Sequence, residues 1–130
     1  MKKFGLSREE RIKSTKEFEL IFSEGITIHS NSRKLKAIFC INSNECISKV
    51  AFAIPKKSGK AFWRNRVKRL LREAYRLNKN ILNDGNLNLN FLIVFLTDLI
   101  NQSNTPKLQL NDIIPEMVNL LKGIRLESIK

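Results

Sequence analysis

Apolar residues along this chain fall into blocks of helical and strand period, separated by short polar breaks. Ser14-Thr15-Lys16-Glu17 has the form of a capping box, in which Ser14 accepts from the Glu17 amide and Glu17 reaches back. The helix it opens carries Phe18, Ile21 and Phe22, with Phe18 and Phe22 four apart on one face. It stops at Gly25, a residue suited to a left-handed C-terminal position. A polar stretch follows, then residues 35–41 read as a first strand and Asn42-Ser43-Asn44-Glu45 as a turn. Residues 49–54 read as a second strand, with Val50, Phe52 and Ile54 on one face and Lys49, Ala51 and Ala53 on the other. The first of these faces is built for burial, while the second is small and nearly flat.

Pro55 ends that strand and Gly59 marks a loop. From residue 64 to residue 78 the period is helical, with Val67, Leu70, Leu71, Ala74 and Leu77 in one stripe. Asn83-Asp84-Gly85-Asn86 is a turn, residues 90–97 a buried third strand, and residues 101–105 another loop. Asp112 is the expected cap of a last helix through Met117, Val118, Leu120 and Leu121, placing Pro115 in its first turn, where a missing N–H costs little. The order α-β-β-α-β-α is that of a small α+β sandwich, with helices packed on a short sheet. We read residues 1–130 as a single domain, too short for two hydrophobic cores, and expect its ends, 1–10 and 123–130, to be flexible.

Charge changes this picture. Lys and Arg number 24 against 12 Asp and Glu, a formal net charge of +12. A field of that sign draws polyanions: nucleic acid, anionic membrane or acidic protein. Net charge of +8 lies within the 22 residues from 55 to 76, where Lys56, Lys57, Lys60, Arg64, Arg66, Lys68, Arg69, Arg72 and Arg76 face one acid, Glu73. On a helical wheel Asn65, Arg69, Arg72 and Arg76 share an arc of about 60° opposite the apolar stripe, flanked by Arg66 on one side and Lys68 on the other. An ordinary solvated helix face mixes signs and gains from i,i+4 pairs. This one is nearly all cationic and repels itself, and its abundance of Arg suits bidentate phosphate binding. A nucleic-acid-binding face is the reading that charge distribution favours.

At this segment the sequence becomes recognisable. Residues 51–76, AFAIPKKSGKAFWRNRVKRLLREAYR, resemble the signature of the bacterial ribonuclease P protein family: a strand, a Lys-Lys-x-Gly loop, then Arg-Asn-Arg-x-Lys-Arg-x-x-Arg on a helix. Phe18-x-x-x-Phe22 is similar to the family's aromatic pair. Ser58, where an apolar residue is usual, implies a looser loop, and Ala51 stands where glycine is common. The resemblance implies a left-handed crossover between the second and third strands, where chain physics alone favours right-handed. It also implies two RNA-binding surfaces. Lys56, Lys57, Lys60, Arg64, Asn65, Arg66, Arg69, Arg72 and Arg76 would contact a catalytic RNA subunit. Phe18, Phe22, Ala51, Ala53 and Lys68 would hold the single-stranded 5′ leader of precursor tRNA. A further aromatic or apolar contact to the leader falls on either Ile38 or Phe39. From residue pattern alone Phe18 and Phe22 read as core packing; the resemblance favours partial exposure instead.

The implied activity is endoribonuclease action by a holoenzyme, with Mg²⁺ held mainly by the RNA and no catalytic or metal-ligating residue in the protein. Two other classes compete. A self-sufficient metal-dependent nuclease needs clustered carboxylates or histidines, and the one histidine, His29, falls in a polar loop. A ribosomal-type RNA-binding protein fits the charge equally well but not the Lys-Lys-x-Gly to Arg-Asn-Arg register. A membrane-surface helix fits poorly, because Trp63 precedes the basic helix rather than lying along it. The basic N-terminus lacks a signal-length apolar core, and no apolar run approaches membrane-spanning length. The expected setting is therefore cytoplasmic, with Cys40 and Cys46 as reduced thiols.

Overall fold

A computed structural model describes residues 10–41, 47–86 and 90–129. The elements are α1 (Thr15–Glu24), β1 (Ile26–His29), β2 (Leu35–Ile41), β3 (Lys49–Ala53), α2 (Ala61–Asn78), β4 (Phe91–Thr97) and α3 (Leu110–Ile129). Short 3-10 turns occupy Lys56–Ser58 and Lys79–Asn86. The turn expected at residues 42–45 and Cys46 lie outside the described residues.

The four strands form one sheet in the order β1-β2-β4-β3, antiparallel except for the parallel β3–β4 pair. β4 is central and buried on both faces, which is why its sequence is a continuous apolar run without alternation. Phe91, Ile93 and Phe95 look toward α2 and α3, joining Leu35, Ala37, Phe39, Val50, Trp63, Val67 and Leu71 in the main core. Leu92 and Val94 look the other way and, with Ile12 and Ile21, form a smaller cluster beneath α1. Segregating the helices onto two faces of one small sheet gives the α+β class expected.

The crossover from β3 through α2 to β4 is left-handed. The Val50 carbonyl accepts from Ile12 N–H (3.0 Å) on the outer edge of β3, away from β4, while its side chain lies in the core under α2. For an L-residue so oriented, β4 lies to the left of an upward β3 viewed from α2. The segment around Arg11 thus covers the edge of β3.

Several local expectations change. β1 is a strand that the polar reading of residues 26–34 does not provide; its Ile26-Thr27-Ile28 run is β-branched throughout and pairs with residues 37–39 of β2. His29 ends that strand instead of lying in a loop, and its Nδ1 sits 2.7 Å from Asp98 Oδ2. Burial alone would raise the Asp98 pKa, but hydrogen bonds from His29 and Arg33 outweigh it and hold the carboxyl below its ordinary value.

Gly25 is extended (φ −72°, ψ 154°), not left-handed. A side chain there would collide with the Ile21 carbonyl and the Ile38 side chain, so close approach, not backbone conformation, calls for glycine. Ser14 Oγ accepts from the Lys16 and Glu17 amides, but the Glu17 carboxylate turns to Lys49 Nζ at 3.2 Å. Asp112 is not the N-cap of α3. It is the third helical residue and accepts from Gln109 N–H (2.9 Å), so Pro115 falls in the second turn. α3 continues to Ile129 where a loose end was expected, with Ile124 fully buried.

Candidate nucleic-acid interface

α2 begins at Ala61, three residues earlier than the periodicity suggests, so Trp63 lies in its first turn and is buried. No side chain of Lys60 caps the helix. The loop after β4 holds the entry to the helix instead: Gln102 Oε1 accepts from Lys60 N–H (2.8 Å), and Gln102 N–H donates to the Ser58 carbonyl (2.8 Å). Trp63 Nε1–H donates to the Thr105 carbonyl (3.0 Å). The Lys56–Lys60 loop is therefore braced across 42 residues of sequence, not loosened at Ser58. Gly59 is part of the brace, since a Cβ there would meet both Gln102 and Trp63 closer than 3.0 Å.

The buried stripe of α2 is Trp63, Val67, Leu71, Ala74 and Tyr75. Tyr75, polar in the pattern, turns inward against Phe52 and Phe95, whereas Leu77 is exposed. Burial pushes the Tyr75 phenol well above its ordinary range, with Glu10 adding to the shift. Asn65, Arg69 and Arg72 are exposed on the opposite side. The remaining cations are partly engaged. Arg64 Nε donates to the Gly59 carbonyl (3.1 Å), Arg66 Nη2 donates to the Leu108 carbonyl (2.8 Å), and Arg76 pairs with Glu73. That pairing, through its hydrogen bond first, lowers the Glu73 pKa. Arg66 lies on the flank of α2 nearest α3. Lys68 is half-buried on the other flank of the helix. Lys56, Lys57 and Lys60 are all exposed.

Because Arg69 and Arg72 are exposed on the side opposite the buried stripe, Arg69→Ala or Arg72→Ala should leave unfolding free energy within about 0.5 kcal/mol of the parent. If each contacts a phosphate, its loss should reduce the slope of log affinity for structured RNA against log salt by roughly 0.7–0.9. A large fall in melting temperature with an unaltered slope would place these residues on the wrong side of the helix.

The second surface lies across the sheet. The strand register sets Ala51, Val94 and Ile38 side by side in one row, and Ala53, Leu96 and Lys36 in the next. Phe18, Ala51, Ala53, Ile38 and Leu96 are partly buried against the cluster beneath α1. Phe22 is 57% exposed, and its ring lies nearly parallel to that of Phe18, with centroids 6.4 Å apart. The outcome is a largely apolar sheet face bordered by the Phe18–Phe22 ring pair, here called the cleft beneath α1. Of the two β2 candidates, Ile38 faces this cleft and Phe39 is core. Cys40 lines the same face as a free thiol whose pKa is raised by burial and, secondarily, by Glu24.

A sequence model of the family Ribonuclease P matches residues 6–123. The chain belongs to the ribonuclease P protein family. It is 36% identical over 116 residues to the ribonuclease P protein component of Clostridium botulinum (strain Langeland), covering 88% of this chain and 94% of that one. It is 32% identical over 116 residues to that of Clostridioides difficile, covering 89% and 92%. The solved ribonuclease P protein of Thermotoga maritima superposes with a TM-score of 0.71 at 28% identity over 88% of this chain and 96% of that one. A Staphylococcus aureus ribonuclease P protein, at 22% identity over 89% and 95%, gives the same TM-score and shares the fold.

Membership accounts for the register of Lys-Lys-x-Gly and Arg-Asn-Arg, which a ribosomal-type protein has no reason to share. It places the chain in tRNA processing, with ribonuclease activity belonging to the holoenzyme. Among the described residues no helix is long and apolar enough to cross a membrane.

Proposed function

We propose that this chain is the protein subunit of a cytoplasmic ribonuclease P holoenzyme, binding the catalytic RNA through the Lys56–Lys60 loop and α2, and the 5′ leader of precursor tRNA in the cleft beneath α1. The observation that carries this reading is the separation of two unlike surfaces by one sheet. The outer face of α2 is cationic and ordered by its brace, as phosphate recognition requires. The cleft is apolar, flat and flanked by an exposed aromatic ring, as an unpaired strand requires. Lys60 and Arg64 at the N-terminal end of α2 oppose its macrodipole. An RNA phosphate there relieves that cost, so the free protein stores an electrostatic preference for its partner.

Hydrolysis itself is assigned to Mg²⁺ ions bound mainly by the RNA. Mg²⁺ favours hard oxygen donors and retains water, and phosphate oxygens of a folded RNA supply them. Among the described residues no three His, Cys, Asp or Glu side chains cluster. When bound, such ions activate water and stabilise the leaving oxygen. The residues of this chain position the leader and offset repulsion between two polyanions.

Purified protein with Mg²⁺ is expected not to process precursor tRNA. Added to the RNA subunit, it should permit cleavage at low Mg²⁺, where the RNA alone is slow. Site-specific cleavage by nuclease-free protein alone would overturn the assignment of catalysis to the RNA.

A further inference from the structure

Phe62 is the most exposed large apolar side chain among the described residues, at 66%. It is the second residue of α2. On the helical wheel it lies about 20° from Arg69, well away from the buried stripe. Its nearest helical neighbours are Asn65 and Arg66, one turn on, and Arg69, two turns on, of which Asn65 and Arg69 are exposed. Arg66, one turn on and the arginine best placed to cover the ring, is turned elsewhere, its guanidinium donating to the Leu108 carbonyl. The ring is thus a bare aromatic face set among cations.

An isolated exposed apolar residue needs no explanation. A rigid, uncovered ring on the face of α2 that carries Asn65, Arg69 and Arg72 is different. It offers what phosphate contacts lack, a surface for the π-face of a base. Its rigidity follows from its position, because the first turn of α2 is pinned by Gln102 at Lys60 and by Thr105 at Trp63.

We propose that Phe62 is a base-stacking residue: it packs against one unpaired nucleobase of the RNA subunit while the neighbouring cations hold the flanking phosphates. The surrounding charge selects the occupant, since +8 of the chain's +12 lies within residues 55–76, and an apolar protein groove would have to tolerate that charge. This inference rests on the RNA-subunit-binding reading of α2. It adds to it a contact that is sensitive to base pairing and insensitive to salt.

The test compares Phe62→Ala, Phe62→Leu and Phe62→Tyr for affinity to the isolated ribonuclease P RNA, across a salt series and with melting temperatures recorded. Loss of a base–aromatic stack should weaken binding by roughly 5- to 150-fold for the Ala and Leu variants. The Tyr variant should remain within about threefold, and the salt slope and melting temperature should not change. Leu is the deciding variant, being apolar without a π-face; binding like the parent would reduce the contact to simple burial and overturn the proposal. So would parent-like binding by Phe62→Ala. A third overturning result is a loss confined to precursor tRNA binding by the assembled holoenzyme, which would give the ring to the substrate. Failure of the parent protein to bind the RNA subunit would instead refute the underlying reading, and is distinguishable because no variant enters into it.

Discussion

Trp63→Ala should destabilise the protein by about 3–5 kcal/mol, the cost of emptying a fully packed aromatic site. The side chain is 1% exposed and belongs to the main core. Its indole N–H is matched to the Thr105 carbonyl at 3.0 Å, so truncation also leaves a half-buried acceptor without its donor. Small domains are stable by about 5–15 kcal/mol in total, so such a loss takes a large share. The loss should reach function as well. Trp63 packs against Gly59, and with it removed the Lys56–Lys60 loop loses one wall of its brace. Urea unfolding reads the first effect. RNA-subunit affinity, measured well below the unfolding midpoint, reads the second. Trp63→Phe should recover part of the packing and none of the hydrogen bond, falling between parent and alanine. A loss below about 1 kcal/mol for alanine would show that the indole is not the anchor of this corner.

The Trp63 corner also shows why some of this fold could not be read from sequence. The periodicity of Val67, Leu71 and Ala74 identifies α2, and Gly59 identifies the loop before it, because both signals are local. The start of the helix is not a local matter. No Ser, Thr, Asp or Asn stands at residue 60, and the entry to the helix is held instead by Gln102, which no sequence rule ties to that position. A helix read from residue 64 excludes Trp63 and Phe62, so the most exposed ring on the basic face is invisible to the periodicity. β1 was missed for the opposite reason. Its residues carry the β-branched signature, but the strand is short and mostly exposed, so no alternation of burial announces it.

The basic residues were legible as a group but not as individuals. Charge density along the chain singles out residues 55–76, and the wheel places Asn65, Arg69 and Arg72 outward, as found. Composition cannot show that the Arg66 guanidinium is committed to the Leu108 carbonyl, or Arg76 to Glu73. Such engagement divides the signature cations into those exposed to solvent, Arg69 and Arg72, and those that hold the scaffold. The cleft divides similarly. Alternation in β3 foretold the small Ala51/Ala53 face, yet the choice between Ile38 and Phe39 required the pairing register of β2 with β4, a long-range fact.

The same cleft yields the second large effect. Phe22→Ala should weaken binding of precursor tRNA with a leader of several nucleotides by roughly 1–3 kcal/mol, the value of one lost stacking platform. Binding of mature tRNA and assembly with the RNA subunit should stay nearly unchanged. Phe22 is the cleaner of the two aromatic variants because it is 57% exposed, so its removal empties no cavity. Phe18 is half-buried against Ile21, Val94 and their neighbours. Phe18→Ala should therefore combine the same leader-dependent loss with a fall in stability, smaller than the cost of a fully buried phenylalanine. The two rings are nearly parallel (15°), so they form one surface and their losses should not add fully. Leader length is the deciding variable. If Phe22→Ala weakens long-leader and leaderless substrates equally, the ring does not stack on the leader. The strand face at Ala51 and Ala53 would then carry the contact, and bulky substitutions there, such as Ala53→Leu, should produce the leader-dependent loss instead.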